Sequence, residues 1–118
     1  GVFPAVEIGG RRYVDGGLRS IANADLATGH RRVLALVPYP VAPHLRDRPP
    51  AQLWALRRNR TASGARTRTR THLVVPDARD LVAMGTNPLD MRRGLGTFEA
   101  ARAHGVRVAP RIGDLWYG

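Results

Sequence analysis

Proline decides where this chain can be regular. Five of its nine prolines fall at positions 38, 40, 43, 49 and 50. A proline lacks the backbone N–H and disfavours helical backbone in the residue before it. The two most apolar runs each end at one. Arg32-Val33-Leu34-Ala35-Leu36-Val37 stops at Pro38, and Thr71-His72-Leu73-Val74-Val75 stops at Pro76. Runs this short, with β-branched residues, read as buried strands.

The same punctuation predicts the rest. Residues 38–50 are loop. Pro50 opens a helix over 51–60, with Leu53, Trp54 and Leu56 on or near one face. Residues 61–70 contain only Thr, Arg, Ser, Gly and Ala and read as loop. Asp77 caps a turn of helix through Val82, and Asn87-Pro88 is a break. Asp90 caps a helix of about 14 residues, with Met91, Leu95, Phe98, Ala101 and Ala103 as its apolar members and Gly105 as its end. Residues 106–118 receive no assigned element. Upstream, 5–8 and 11–14 are strands joined at Gly9-Gly10, a hairpin signal because adjacent glycines take the positive φ of tight primed turns. Asn23 caps a short helix over 24–28 that Gly29 ends.

Two buried-type strands separated by helical segments predict an α/β fold with a sheet parallel at its centre. A parallel sheet is covered on both faces, and a hairpin plus two strands is thin for that. The chain opens on Gly1 and runs straight into an extended segment. The expectation is therefore one portion of a longer protein, with further strands upstream of Gly1.

Composition narrows the function classes. The 118 residues suit one domain, and 43% are hydrophobic. No apolar run approaches the roughly 20 residues of a membrane-spanning helix. There is no cysteine, which excludes disulfides, thiolate metal sites and a cysteine nucleophile. All 19 basic residues are Arg, and the net charge is +10. The charge is local: residues 46–72 hold eight Arg against Asp47, whereas the remaining 91 residues hold 11 Arg against eight acids.

Tyr13-Val14-Asp15-Gly16-Gly17 is the stretch that bears on chemistry. Asp15 stands at a strand end, and the two glycines after it let the backbone turn and let another group approach. A carboxylate so placed can accept a hydrogen bond from a hydroxyl or imidazole, and can then orient that group or take its proton. Asp-Gly-Gly taken alone also reads as a simple turn.

The stretch Phe3-Pro4-Ala5-Val6-Glu7-Ile8-Gly9-Gly10-Arg11-Arg12-Tyr13-Val14-Asp15-Gly16-Gly17 resembles the segment of patatin-like phospholipases that carries their catalytic aspartate. Asn23, Ala27, Gly29 and Val33–Val37 follow in the family's order. Val74-Val75-Pro76-Asp77, Met84-Gly85-Thr86-Asn87 and the helix from Asp90 to Gly105 resemble its closing strand, turn and last helix. The resemblance covers about 1–37 and 71–106 and is thin across 41–70. It implies that 1–118 is the C-terminal portion of one patatin-like domain, with 38–70 a variable Pro/Arg-rich loop and short helix. The implied fold is part of a three-layer hydrolase sheet, a hairpin plus parallel strands with covering helices.

The implied activity is lipid acyl hydrolysis, as a phospholipase or esterase, by a Ser–Asp dyad. Asp15 carries over as the dyad aspartate, and Gly16 and Gly17 as the residues that give it its backbone geometry. The family's nucleophile motif, Gly-x-Ser-x-Gly, does not occur in these residues, where the serines are Ser20 and Ser63. A Gly-rich oxyanion loop is also missing. The chain alone is therefore expected to be inactive, since each part contributes orders of magnitude. The implied partners are an acyl lipid, an anionic membrane surface and the N-terminal half of the domain. The implied location is cytoplasmic, with peripheral contact to a membrane.

The alternative is a small basic module that binds anions or nucleic acid without chemistry. Residues 57–70 hold six Arg and no acid, and Arg suits bidentate phosphate contacts. No interleaved aromatic or nucleic-acid-binding signature accompanies them, which disfavours nucleic acid. The histidines, 30, 44, 72 and 104, are isolated in sequence, with no i, i+4 pair and no neighbouring carboxylate cluster. They are expected to be structural or solvent-facing. No cofactor and no metal are expected. Trp116 and Tyr117 are expected to pack as a tail or to dock on the missing half.

Overall fold

A computed structural model describes residues 4–39, 47–58, 68–87 and 89–118. The loops expected over 38–50 and 61–70 fall largely outside these residues, as do His44 and Ser63. The elements are β1 (Val6–Ile8), β2 (Arg11–Tyr13), β3 (Arg32–Leu36), α1 (Pro49–Arg58), β4 (Arg70–Val74), α2 (Ala78–Met84) and α3 (Gly94–Tyr117), with 3-10 turns at Gly16–Leu18, Ala24–Ala27 and Met91–Arg93.

The fold is mixed α/β, as expected. β1 and β2 form an antiparallel hairpin with Ile8 opposite Arg11. Gly9 and Gly10 both take positive φ, +57° and +73°, so the two-residue turn is the one the glycines signal. β3 and β4 pair in parallel, with Val33 opposite Thr71 and Leu36 opposite Val74. The crossover between them carries α1, which starts on Pro49 and Pro50, where the missing N–H groups cost no helical bond.

The core is small. Ala24, Val33, Leu53 and Leu56 are buried together, with Ala22, Ala27, Ala35 and Leu73 packed against them. Three expectations about burial are corrected. β3 and β4 are only partly buried, and Leu36 is 65% exposed, because two strands give each other a single covered region. Trp54 is exposed while Leu53 and Leu56 are buried, and Arg58 stacks 4.5 Å from the Trp54 ring centroid. The stripe Met91, Leu95 and Phe98 faces solvent. The covered face of α3 instead carries Ala100, His104, Val108, Ile112 and Leu115.

α3 also runs through both of its sequence stop signals. Gly105 lies inside it, Pro110 lies inside it, and it continues to Tyr117. Gly and Pro disfavour a helix interior by about 1 and about 3 kcal/mol. Tertiary contacts on either side override that local preference. Arg107 Nη2 donates to Asp77 Oδ2 at 2.6 Å and His104 meets Asp80. Beyond Pro110, Arg70 Nη2 donates to the Asp114 carbonyl at 3.2 Å, and Leu115 is buried.

The turn between α2 and α3 is also specific. Gly85 ends α2 with φ +73°. A Cβ there would sit 2.8 Å from Arg93 Nε. Arg93 Nη1 in turn donates to the carbonyls of Val82 and Ala83, both at 3.3 Å, covering the C-terminal end of α2. Gly85→Ala is expected to lower stability by about 1–3 kcal/mol in chemical denaturation. In an Arg93→Ala background the cost should shrink to the backbone part alone, set by a positive-φ, extended-ψ conformation that essentially only glycine adopts. An equal loss in both backgrounds would remove the steric account.

Candidate functional site

Asp15 follows the hairpin directly and N-caps the first 3-10 turn. Its Oδ1 accepts the Gly17 N–H at 2.8 Å, and Leu18 N–H donates to its carbonyl at 3.0 Å. Oδ2 accepts no hydrogen bond among the described residues, and the residue is solvent-exposed. One oxygen is therefore fixed by the backbone and the other is open.

The role expected for the two glycines is revised. Neither Gly16 nor Gly17 is among the residues of positive φ. What Gly17 supplies is close approach: a Cβ on it would stand 3.3 Å from Asp15 Oδ1. Gly16 supplies its carbonyl, which accepts from Asn23 Nδ2 at 3.2 Å.

Asn23 is the organiser of the loop that follows, in a way its expected capping role does not describe. It occupies the N-cap position of Ala24–Ala27 but its side chain makes no cap bond, and its φ is +46°. Nδ2 instead donates to the carbonyls of Gly16 and of Ser20, the latter at 2.6 Å. Oδ1 accepts from Arg19 Nη1 at 2.8 Å. Arg19 also pairs with Asp25 through two bonds, at 3.0 and 2.5 Å. That pairing lowers the Asp25 carboxyl pKa and raises that of the Arg19 guanidinium.

Gln52 on α1 ties this loop to the rest of the chain. Its Nε2 donates to Ser20 Oγ and to the Asp47 carbonyl, both at 2.7 Å, and its Oε1 accepts the Ala24 N–H at 3.0 Å. Ser20 Oγ accepts the Asn23 N–H as well, at 3.1 Å. Ser20 is thus a structural bridge, in keeping with its lack of flanking glycines. Nothing in the sequence marks Gln52, because Ser20 and Ala24, the partners that tie it to the loop, lie 32 and 28 residues away. A cleft of about 560 Å³ opens between this loop and α1, lined by Arg19, Ser20, Asp25, Gln52, Trp54 and Leu56 among others. Asp15 is not among its lining residues.

A second constellation joins α2 to α3. Asp77 caps α2, its Oδ1 accepting from Arg79 N–H at 2.8 Å and Asp80 N–H at 3.1 Å. Asp80 closes the capping box, its Oδ2 accepting the Asp77 N–H at 2.8 Å. Asp80 is buried and its Oδ2 also meets His104 Nδ1. The expectation that no carboxylate accompanies the histidines is therefore corrected for His104. Sequence spacing could not reveal the pair, since Asp80 and His104 lie 24 residues apart on different helices.

The basic segment is partly spent on internal contacts. Arg57 Nε and Nη2 donate to Thr71 Oγ1 at 2.6 Å and to the Thr71 carbonyl at 3.1 Å. Arg58 lies on Trp54 and Arg70 on Asp114. No described helix is long and apolar enough to cross a membrane. Compared with known proteins, the chain matches no protein-family model, no curated protein and no solved structure.

Two measurements follow from this geometry. Gln52→Ala leaves the Ala24 N–H, the Asp47 carbonyl and Ser20 short of partners, and is expected to cost about 1–3 kcal/mol in urea unfolding. A change below about 0.5 kcal/mol would mean water replaces the side chain without loss. Backbone N–H groups, chiefly that of Asp80, and then Arg107 hold the Asp77 carboxyl at a pKa of about 2. The unfolded value is about 3.9. Its stabilisation is therefore fully present above about pH 4 and is lost as pH falls toward 2. The stability gap between wild type and Asp77→Asn should close across that window and stay constant from pH 5 to 7.

Proposed function

We propose that this chain is the carboxylate-bearing portion of a patatin-like acyl hydrolase, in which Asp15 is the base of a Ser–Asp dyad. The observation that carries the reading is the state of Asp15. One oxygen is fixed by the Gly17 N–H at 2.8 Å and the other is open to an incoming hydroxyl. A simple turn needs the first of these and not the second.

Further features support a larger domain around it. β3 is bonded only to β4 among the described residues. A groove of about 610 Å³ runs along β3 and is lined by none of β4. A two-stranded parallel sheet is a minimal one, and parallel sheets are ordinarily covered on both faces. Val6, Ile8, Val14, Leu36, Leu95 and Phe98 are all at least half exposed, which fits surfaces that meet the remainder of a three-layer sheet.

In this reading the serine comes from a strand-to-helix elbow on that remainder. Asp15 Oδ2 accepts the serine proton as Oγ attacks the ester carbonyl of an acyl lipid. The tetrahedral intermediate collapses, the C–O bond to the alcohol breaks, and Asp15 returns the proton to the departing oxygen. Water, deprotonated by Asp15, then attacks the acyl-serine; its C–Oγ bond breaks, the fatty acid leaves, and Asp15 passes the proton to the serine Oγ. No step calls for a cofactor.

The test has two arms. The 118-residue chain alone should hydrolyse p-nitrophenyl esters no faster than its Asp15→Ala variant. The protein extended to include its Gly-x-Ser-x-Gly segment should hydrolyse them, and Asp15→Asn should lower kcat about 10³- to 10⁴-fold. Hydrolysis that survives Asp15→Asn would end the proposal, as would an upstream sequence with no nucleophile motif.

A further inference from the structure

The Asp77, Asp80 and His104 constellation plays no part in the chemistry at Asp15. Its three donor atoms lie within 4.8 Å of one another. Asp77 and Asp80 belong to the first turn of α2, and His104 faces them from the middle of α3. The His104 side chain is 14% exposed and that of Asp80 7%.

The decisive atom is Asp80 Oδ1. Oδ2 of the same carboxylate is fully used, by the Asp77 N–H and by His104. Oδ1 is buried and has no hydrogen-bond partner among the described residues. A carboxylate oxygen withdrawn from water without a donor is costly, and a capping box needs only one of the two oxygens. The helix cap therefore accounts for Oδ2 and leaves Oδ1 without a cause.

We propose that Asp77, Asp80 and His104 form a divalent metal site of the zinc class that staples α2 to α3. Two carboxylates and one imidazole are a borderline donor set, which suits zinc and its transition-metal neighbours better than magnesium or calcium. Around a tetrahedral ion with bonds of about 2.0–2.2 Å, donor atoms stand about 3.4 Å apart. Donors now within 4.8 Å of one another would close on the ion, and His104 Nδ1 would exchange its contact with Asp80 Oδ2 for the metal. Three protein ligands leave the remaining position to water.

Arg107 gives the proposal a sign that a simple ion-pair cluster would not have. Its Nη2 sits 2.6 Å from Asp77 Oδ2 and is the cation that this carboxylate now meets. A metal that takes Asp77 Oδ2 must displace it. Removing the guanidinium should therefore strengthen metal binding, although it removes an ion pair.

The experiment is isothermal titration of the 118-residue chain with Zn²⁺, repeated with Mg²⁺, and with Co²⁺ as a spectroscopic probe. The expected result is one Zn²⁺ per chain, no measurable Mg²⁺ binding, and a Co²⁺ visible spectrum of low coordination number. His104→Gln, which can still hydrogen-bond Asp80, should weaken Zn²⁺ binding at least about tenfold. Arg107→Gln should tighten it. Zinc binding that is absent, or unchanged in His104→Gln, or weaker in Arg107→Gln, would overturn the proposal. Unchanged binding in His104→Gln would place the metal elsewhere on the chain.

Discussion

The contact between the first turn of α2 and the middle of α3 sets the register of the C-terminal half. α3 contains Gly105 and Pro110, and its own sequence favours stopping at either. It continues because it is held on both sides of those residues. Asp80 and Asp77 meet His104 and Arg107 on the N-terminal side of Pro110. Arg70 and the burial of Leu115 hold the last turn. Since Arg70 opens β4, this second hold also fixes α3 against the parallel pair. The capping box is what makes the arrangement possible: it stops Asp77 and Asp80 from being merely local caps and presents the remaining carboxylate surface to α3.

The N-terminal half is organised on a different principle. Among the described residues its apolar core is a few alanines with Val33, Leu53, Leu56 and Leu73, too small to fix a loop of ten residues by packing. Hydrogen bonds do so instead. Asn23 bonds two carbonyls and a guanidinium, and Gln52 joins Ser20, Ala24 and Asp47. The chain reaches from the Gly16 carbonyl through Asn23 and Ser20 to α1. Asp15 sits at the free end of this network. Its backbone is restrained through Gly16 and Leu18, while its outer oxygen is left to solvent. In the proposed dyad, that combination of a fixed carboxylate and an open face is what an incoming hydroxyl would meet.

What was legible in the sequence was whatever depends on neighbours in the chain. Gly9-Gly10 specifies a primed turn because positive φ is a property of two residues. Asp77 specifies an N-cap because its partners are two and three residues on. The prolines delimit β3, α1 and β4 to within about two residues for the same reason. What was not legible depends on residues far away. The end of α3 is misread at Gly105 because the contacts that carry the helix onward come from α2 and β4. The solvent stripe of Met91, Leu95 and Phe98 reads as core because periodicity records amphipathicity without recording which face finds a partner. The same limit hid His104, whose partner Asp80 lies 24 residues away, and the bonds of Gln52 to Ser20 and Ala24, 32 and 28 residues away.

The arginines show why a charge count alone is a poor guide to partners here. A guanidinium has several donors in a rigid plane, so one side chain can close two backbone carbonyls or a hydroxyl and a carbonyl together. Arg93 does the first at the end of α2, and Arg57 does the second on β4. Arg70 holds a carbonyl in the last turn of α3. Arg93 and Arg70 sit where helix carbonyls concentrate negative partial charge, so each is already neutralised in part by the fold. A phosphate approaching the 57–70 segment would compete with the Thr71 and Asp114 carbonyls for Arg57 and Arg70, and with the Trp54 ring for Arg58. Among the described arginines of that segment only Arg68 makes no such contact. The described part of the basic stretch is thus better understood as the fastening of α1 and α3 to β4 than as a free anion-binding surface.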